Sequence, residues 1–442
     1  MAFRQRQIRA VPSATTMLPA FVVSAPGKVI LFGEHSVVHG EVESLKLDRT
    51  ITLRFPGIHL VHSFCIDDLP WRVLQPGLSK NRHESRVTRL DSDLVSALQS
   101  FLAAISVGQP QDIRQVHHTS VLAFLYLYLS LASPSFPGCT YTVRSTIPIG
   151  AGLGSSASFS VCLAAALLIQ WQTTQKGLLP CDTCPQVEHI NNWAFVSELC
   201  IHSKPSGVDN TVVTHGKTVV FQQTDSSKPP SVRPLENFPQ LPLLIVDTQQ
   251  EKSTPYQIAK VDMLKRGHPR LVESILGAMG KTTSNAVKLM VAADFNQDGE
   301  ESVQMLGDLF AINHGLLLAL GVSHPRLERI RELVDSEGIG WTKLTGAGGG
   351  GCSITLKRLG VRPEKLSRLD KQLQMGGFLK YETTLHDQGV GVLYPAMPRK
   401  ETEKAASNEI LEVGGTEYLE KLMGVHGDGG QRAGWMFWGA RV

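Results

Sequence analysis

The sequence predicts an α+β protein in two lobes, and three features carry that prediction. A chain of 442 residues is longer than one ordinary domain of about 100–200 residues. Tyr141–Ser145 alternates like a strand, runs into the glycine-bearing stretch Pro148–Ser156, and leads to an Ala- and Leu-rich helical run, Ala157–Trp171. A polar, proline-bearing link, Ser226–Pro234, then separates this half from a second set of strands and helices.

Each element follows from its local pattern. Phe21–Ser24 opens a strand that breaks at Ala25-Pro26-Gly27, and a second apolar run, Val29–Phe32, follows at once. Ile51–Phe55 alternates with the period of a strand, and Asp91–Ile105 has the period of a helix. Val121–Leu131 is apolar nearly all round, which marks a buried helix. A Pro/Cys-containing insertion at 173–187 precedes a helix over Val187–Ile201. Val219–Phe221 and Leu243–Val246 read as strands. Helices are expected over Gln257–Met263, Leu271–Met290, Gly299–Leu320 and His324–Glu337, with a last strand at Cys352–Leu356. Beyond Pro395 polarity rises and the period fades. The expected division is therefore a leader at 1–20, a first lobe at 21–225, a second at 235–395 and an atypical tail at 396–442. The leader holds Arg4, Arg6 and Arg9 and no acid, without an amphipathic stripe, so it reads as disordered ahead of Met17.

Composition excludes several classes of function. Lys and Arg total 43 against 40 Asp and Glu, too balanced for a dedicated nucleic-acid binder, which concentrates basic charge on one face. The longest apolar runs, Val121–Leu131 and Phe159–Ile169, fall far short of the ~18 residues of a membrane span. A soluble chain is expected, with neither nucleic acid nor membrane as partner. Seven irregularly spaced cysteines fit a reducing compartment, hence the cytoplasm, with peroxisomal association left open. Cys181 and Cys184 form an isolated pair without a second pair at zinc spacing, and read as loop residues.

Four segments bear residues suited to chemistry. In Pro148–Ser156, Gly150, Gly152 and Gly154 let backbone N–H groups converge, because no Cβ blocks their approach. The helix start beyond adds unpaired donors and a positive dipole end, which suit a phosphate. Ser155 and Ser156 sit at its mouth. The loop lacks the Gly-Lys-Ser/Thr ending of the common P-loop, and by itself equally describes a capped helix after a turn. The second glycine group, Leu344–Cys352, has four consecutive glycines, Gly348–Gly351, bracketed by apolar residues. Their unfolded-state entropy is costly, which favours close packing or function over a linker. The third segment places Glu198 near a helix end and Asp209 eleven residues on, in a Pro/Gly turn. One carboxylate can hold Mg²⁺ together with phosphate oxygens while the other accepts a hydroxyl proton; singly, each is as well a solvated charge or a cap. The fourth runs from Ser24 to Gly40. Its Lys28 lies between apolar runs where a lone ammonium is costly, so it calls for an acidic partner, with Asp209 the natural candidate. Glu34-His35 suits a polar substrate; taken singly, a snorkelling lysine and a loop-exposed histidine describe these residues better. A glycine loop, a helix start, a lysine and two separated acids make up the parts for phosphoryl transfer from a nucleotide, which needs positioning and charge neutralisation more than covalent chemistry.

At Pro26–Gly40, Pro148–Ala157 and Lys343–Cys352, in that order, the chain resembles the small-molecule kinase family named for galactokinase, homoserine kinase, mevalonate kinase and phosphomevalonate kinase. The form Glu34-His35-Ser36-Val37-Val38-His39-Gly40 is similar to the mevalonate-phosphorylating branch, and Val121–Leu131 and Ile201–Asn210 to its animal members. The resemblance covers Phe21 to about Pro395. It implies a two-lobed kinase fold: a first lobe with a left-handed-crossover β/α sheet, a ferredoxin-like α+β second lobe, and the active site in the cleft between them. It further implies ATP phosphates on Pro148, Gly150, Ala151, Gly152, Leu153, Gly154, Ser155, Ser156 and Ala157, with Mg²⁺ on Ser156 and Glu198. Asp209 would be the catalytic base and Lys28 its ion-pair partner. Glu34, His35, Thr254, Gly346 and Ala347 would lie near mevalonate, joined by Lys28 and Asp209. A homodimer and restraint by isoprenoid diphosphates competing with ATP are implied as well. Two departures stand out. Glu41–Asp48 is more charged and shorter than the apolar strand of the family, and a one-residue slip there would turn its core face outward. Pro255 follows Thr254 where the family tends to carry a basic residue. Two rival readings thus stay open: a kinase of another small alcohol, and a catalytically impaired isoform with a binding role.

Overall fold

The computed structural model describes residues 21–26, 28, 31, 38–46, 49–73, 87, 89–145, 147, 153–176, 187–202, 205–216, 218–222, 231–235, 238–384, 388–394 and 435–438. Along the chain these form β1 (Phe21–Ala25), β2 (Val38–Lys46), β3 (Thr50–Phe55), β4 (Leu60–Cys65), α1 (Ser92–Ala103), α2 (Gln111–Leu131) and β5 (Gly138–Arg144). Then come α3 (Ser155–Lys176), α4 (Val187–Ile201), α5 (Val208–His215), β6 (Thr218–Gln222), β7 (Ser231–Leu235) and β8 (Pro242–Asp247). The second half adds α6 (Thr254–Gly267), α7 (Pro269–Val291), α8 (Glu300–Ala319), α9 (Pro325–Glu337), β9 (Gly340–Leu344) and β10 (Cys352–Lys357). It closes with α10 (Pro363–Met375), β11 (Leu379–Thr384), β12 (Gly391–Leu393) and β13 (Trp435–Phe437).

A seven-stranded sheet in the order β13-β12-β1-β2-β5-β3-β4 builds the first lobe. Every pair is antiparallel except β3 with β5. A parallel pair requires a long crossover, here supplied by β4, α1 and α2. Asp91 starts α1 by accepting from the N–H groups of Asp93 and Leu94 at 2.9 and 3.1 Å, the N-cap role of a short acidic side chain. Helix α3 packs on β1 and β2 and against α2, α4 and α5. Its run Val161–Ile169 is buried on all sides, the reason its sequence shows little amphipathic contrast.

The segment Glu41–Asp48 keeps its place in this sheet through Lys46. Strand β2 pairs with β1 on one side and β5 on the other, and the register shifts between Glu43 and Leu45. Ser44 is the extra residue of a β-bulge, which absorbs one position locally and leaves the pairing intact on either side.

Two strands of the first sheet come from the far end of the chain. Gly391–Leu393 pairs with β1, and Trp435–Phe437 pairs with Gly391–Leu393, although the sequence assigns them to the second lobe and the tail. Val22, Leu393, Trp435 and Phe437 form a small apolar cluster there. The expected link Ser226–Pro234 is in part a strand: β7 pairs with β6 as a hairpin.

In the second lobe the strands are ordered β11-β8-β10-β9, all antiparallel. Numbered within the lobe this is 4-1-3-2, with helices joining the first strand to the second and the third to the fourth, the ferredoxin-like arrangement. Leu31, Ile147 and Leu153 from the first lobe belong to the same buried cluster as Leu243, Ile245, Cys352 and Ile354 of this sheet. Ile147 and Leu153, on either side of the first glycine motif, are thus packed with residues of the second lobe. Among the described residues no helix is long and apolar enough to cross a membrane.

Candidate active site

The site begins where α3 starts. Gly154 holds φ +73° and a Cβ there would stand 3.2 Å from Cγ of Lys28. A residue without a side chain is needed both for this left-handed conformation and for the close passage of the lysine stem. The Gly154 carbonyl accepts from Ser158 N–H at 3.0 Å and from its hydroxyl at 3.2 Å. The hydroxyl also donates to the carbonyl of Pro26 at 3.0 Å, which ties the lysine-bearing segment to the helix start. The first N–H groups of α3, from Ser155, Ser156 and Ala157, precede the first intrahelical bond and are left for an anion.

Lys28 lies just beyond β1, its side chain only 4% exposed, and its ammonium pairs with Oδ1 of Asp209. The acid is in the first turn of α5, preceded by Gly207 at φ +79°, so the Pro/Gly turn delivers it to the lysine as the sequence anticipates. Asp209 remains 34% exposed. A buried ammonium, its carboxylate partner and a helix N-terminus thus meet at one place.

Glu198 completes the constellation. It is buried near the end of α4, its Oε1 accepting from the Ser160 hydroxyl at 3.1 Å and its Oε2 from Ser156 at 3.4 Å. Burial first, and the neighbouring Asp209 carboxylate second, push its pKa up to about 7; the two serine hydrogen bonds and Lys28 oppose that rise. Such an acid carries an unmet demand for positive charge, which a divalent cation would satisfy. Among the described residues no three His, Cys, Asp or Glu side chains converge to hold a metal. One carboxylate with one hydroxyl suits Mg²⁺, which takes its other ligands from water and phosphate.

The second glycine group forms the turn between β9 and β10, and its conformation explains its composition. Gly346, Gly348, Gly349, Gly350 and Gly351 all have positive φ. A Cβ on Gly348 would lie 2.0 Å from the Val322 carbonyl oxygen, and one on Gly349 2.1 Å from Nε2 of Gln257. Gly351 N–H donates to Gln250 at 3.0 Å, while its carbonyl accepts from Thr248 N–H at 2.9 Å and from its hydroxyl at 2.6 Å. This turn is a packed element rather than a linker.

Sequence reasoning missed several residues here. The Ser160 hydroxyl lies in donor range of both Glu198 Oε1 and Ser197 Oγ, and His202 Nε2 lies 3.1 Å from Ser156 Oγ. The i,i+4 spacings of Ser156 with Ser160 and of Glu198 with His202 were the available signal. Around the glycine turn, Nζ of Lys252, Oε1 of Gln257 and Oγ of Thr345 are buried without a hydrogen-bond partner among the described residues. Buried polar atoms are ordinarily satisfied, so each of these retains capacity for a further polar contact. Thr254 is the exposed first residue of α6; Ser253 caps that helix, and Pro255 sits in its first turn, where proline is favoured. Gly346 and Ala347 lie half-buried at the turn. Pro148, Gly150, Ala151, Gly152, Glu34 and His35 lie outside the described residues.

Comparison with known proteins adds to this geometry. Residues 119–217 match the GHMP kinases N terminal domain and residues 292–373 the GHMP kinases C terminal. The chain is 57% identical to a mevalonate kinase of Gibberella zeae, over 96% of this chain and 89% of that one. It is 50% identical to one of Aspergillus fumigatus over 98% and 85%, and 35% identical to that of Homo sapiens over 84% and 94%. The fold is similar to that of an L. major mevalonate kinase crystallised with R-mevalonate, with a TM-score of 0.56 at 17% identity, covering 86% of this chain and 99% of that one. The galactokinase of Lactococcus lactis has a similar fold as well, with a TM-score of 0.53 at 16% identity over 85% and 95%. The chain belongs to the GHMP kinases, in their mevalonate kinase branch.

Proposed function

We propose that this chain transfers the terminal phosphoryl group of ATP to the primary hydroxyl of mevalonate, giving 5-phosphomevalonate and ADP. The observation that carries the proposal is the Lys28–Asp209 ion pair, set against Gly154 at the start of α3. Asp209 accepts the hydroxyl proton through the oxygen not engaged by Lys28. The Lys28 ammonium, fixed along Gly154, stabilises negative charge as it shifts between the attacking oxygen and the phosphoryl group. The unpaired N–H groups at the start of α3 receive nucleotide phosphates. Ser156 and Glu198 would hold a Mg²⁺ ion, which when bound neutralises charge on the phosphate oxygens.

Lys252 is the cation suited to the carboxylate of the substrate. Its ammonium is buried and unpartnered two residues beyond Gln250, whose carbonyl carries the glycine turn. Replacement by Ala is expected to raise KM for mevalonate about tenfold or more with a smaller change in KM for ATP, since a charge-assisted hydrogen bond contributes about 1.5–3 kcal/mol. Initial-rate kinetics with each substrate varied in turn checks this; an unchanged KM for mevalonate would remove Lys252 from the substrate site.

On the family resemblance the protein also forms a homodimer and is inhibited by isoprenoid diphosphates in competition with ATP. The proposal as a whole is tested by ADP release with mevalonate against galactose, homoserine and phosphomevalonate. Strand β2 keeps both its neighbours through the bulge at Ser44, which supports an active chain over the impaired-isoform reading.

A further inference from the structure

His202 directly follows α4, and its backbone N–H donates to the Glu198 carbonyl at 2.7 Å. The same helix end therefore places both side chains. Two neighbours lie within reach of the Ser156 hydroxyl, His202 Nε2 at 3.1 Å and Glu198 Oε2 at 3.4 Å. A serine hydroxyl has one hydrogen and two lone pairs, so only one of these neighbours can take that hydrogen at a time. A hydrogen directed at Glu198 occupies the space between the two oxygens, where a cation shared by both would have to sit. A hydrogen directed at His202 leaves a lone pair on that side.

We propose that His202 is a positioning residue that accepts the Ser156 hydroxyl hydrogen at Nε2 and turns the oxygen's lone pairs toward Glu198 and the bound cation. The imidazole is then neutral, with its proton on Nδ1, and touches no reacting atom. The inference rests on the reading that Ser156 and Glu198 hold the metal of a metal–nucleotide complex. Partners that orient a metal ligand in this way typically change metal affinity by about 10- to 100-fold when removed.

The test compares His202→Leu, which removes the acceptor, with His202→Gln, whose amide oxygen reaches close to the place of Nε2. His202→Leu is expected to raise both KM for Mg-ATP and the half-saturating Mg²⁺ concentration by about tenfold, with kcat within about threefold of the parent, and His202→Gln to restore most of the loss. Mn²⁺ binding to the protein with a non-hydrolysable ATP analogue, followed by electron paramagnetic resonance, should show the same loss in His202→Leu and recovery in His202→Gln. Equal impairment of both variants, a fall in kcat at constant KM, or Mn²⁺ affinity unchanged in His202→Leu would each overturn the assignment. Ser156→Ala separates this from the underlying reading. If Ser156→Ala binds Mn²⁺ as the parent does, the cation site itself is misplaced; if it loses Mn²⁺ while His202→Leu does not, only the role of His202 fails.

Discussion

Asp209→Asn is expected to bind ATP as the parent chain does and to lose turnover by about 10²- to 10⁴-fold, the range associated with a positioned general base. Asparagine has the same shape and can still accept a hydrogen bond from Lys28, so the turn from Gly207 into α5 has no reason to move. What it lacks is an oxygen basic enough to take the hydroxyl proton. The measurement pairs calorimetric titration with an ATP analogue and single-turnover ADP formation. Full activity would show that the proton leaves by another route; loss of nucleotide binding would show that Asp209 acts on the phosphates instead.

Lys28→Met is expected to lower kcat by about 10²- to 10³-fold, as removal of one fixed donor to a developing charge does. Methionine replaces the stem of lysine along Gly154, where the lysine passes through space that a Cβ would take. The cost to stability should be small for a buried ion pair. Breaking such a pair is most damaging when it strands a charge in the interior, but Asp209 is 34% exposed and can be hydrated once the lysine is gone. Steady-state kinetics and thermal unfolding of the same preparation read the two effects separately. A large fall in the unfolding midpoint with little change in kcat would make Lys28 a structural residue.

Local pattern reveals much of this fold and less of its site. Helix α4 has the bounds Val187–Ile201 in both sequence and structure, because its apolar positions and flanking loops define it without reference to other elements. Lys28 and Asp209 could be paired from sequence because a buried ammonium requires an acid. Strand β2 was hidden by its charges: Glu41 and Glu43 stand in a strand whose position is set by β1 and β5, and a bulge leaves no plain mark in the pattern. The strands Gly391–Leu393 and Trp435–Phe437 depend on pairing with residues near the start of the chain, a contact that periodicity does not encode. Gln257 looks like an ordinary polar residue of a helix start until Gly349 of the glycine turn packs against it.

ADP release by the purified chain with ATP and Mg²⁺, given mevalonate, galactose, homoserine or phosphomevalonate in turn, decides which alcohol is the acceptor. Stoichiometric ADP release is expected with mevalonate and background release with the other three. Release with any of those in preference to mevalonate, or none with mevalonate despite bound nucleotide, would contradict mevalonate as the acceptor.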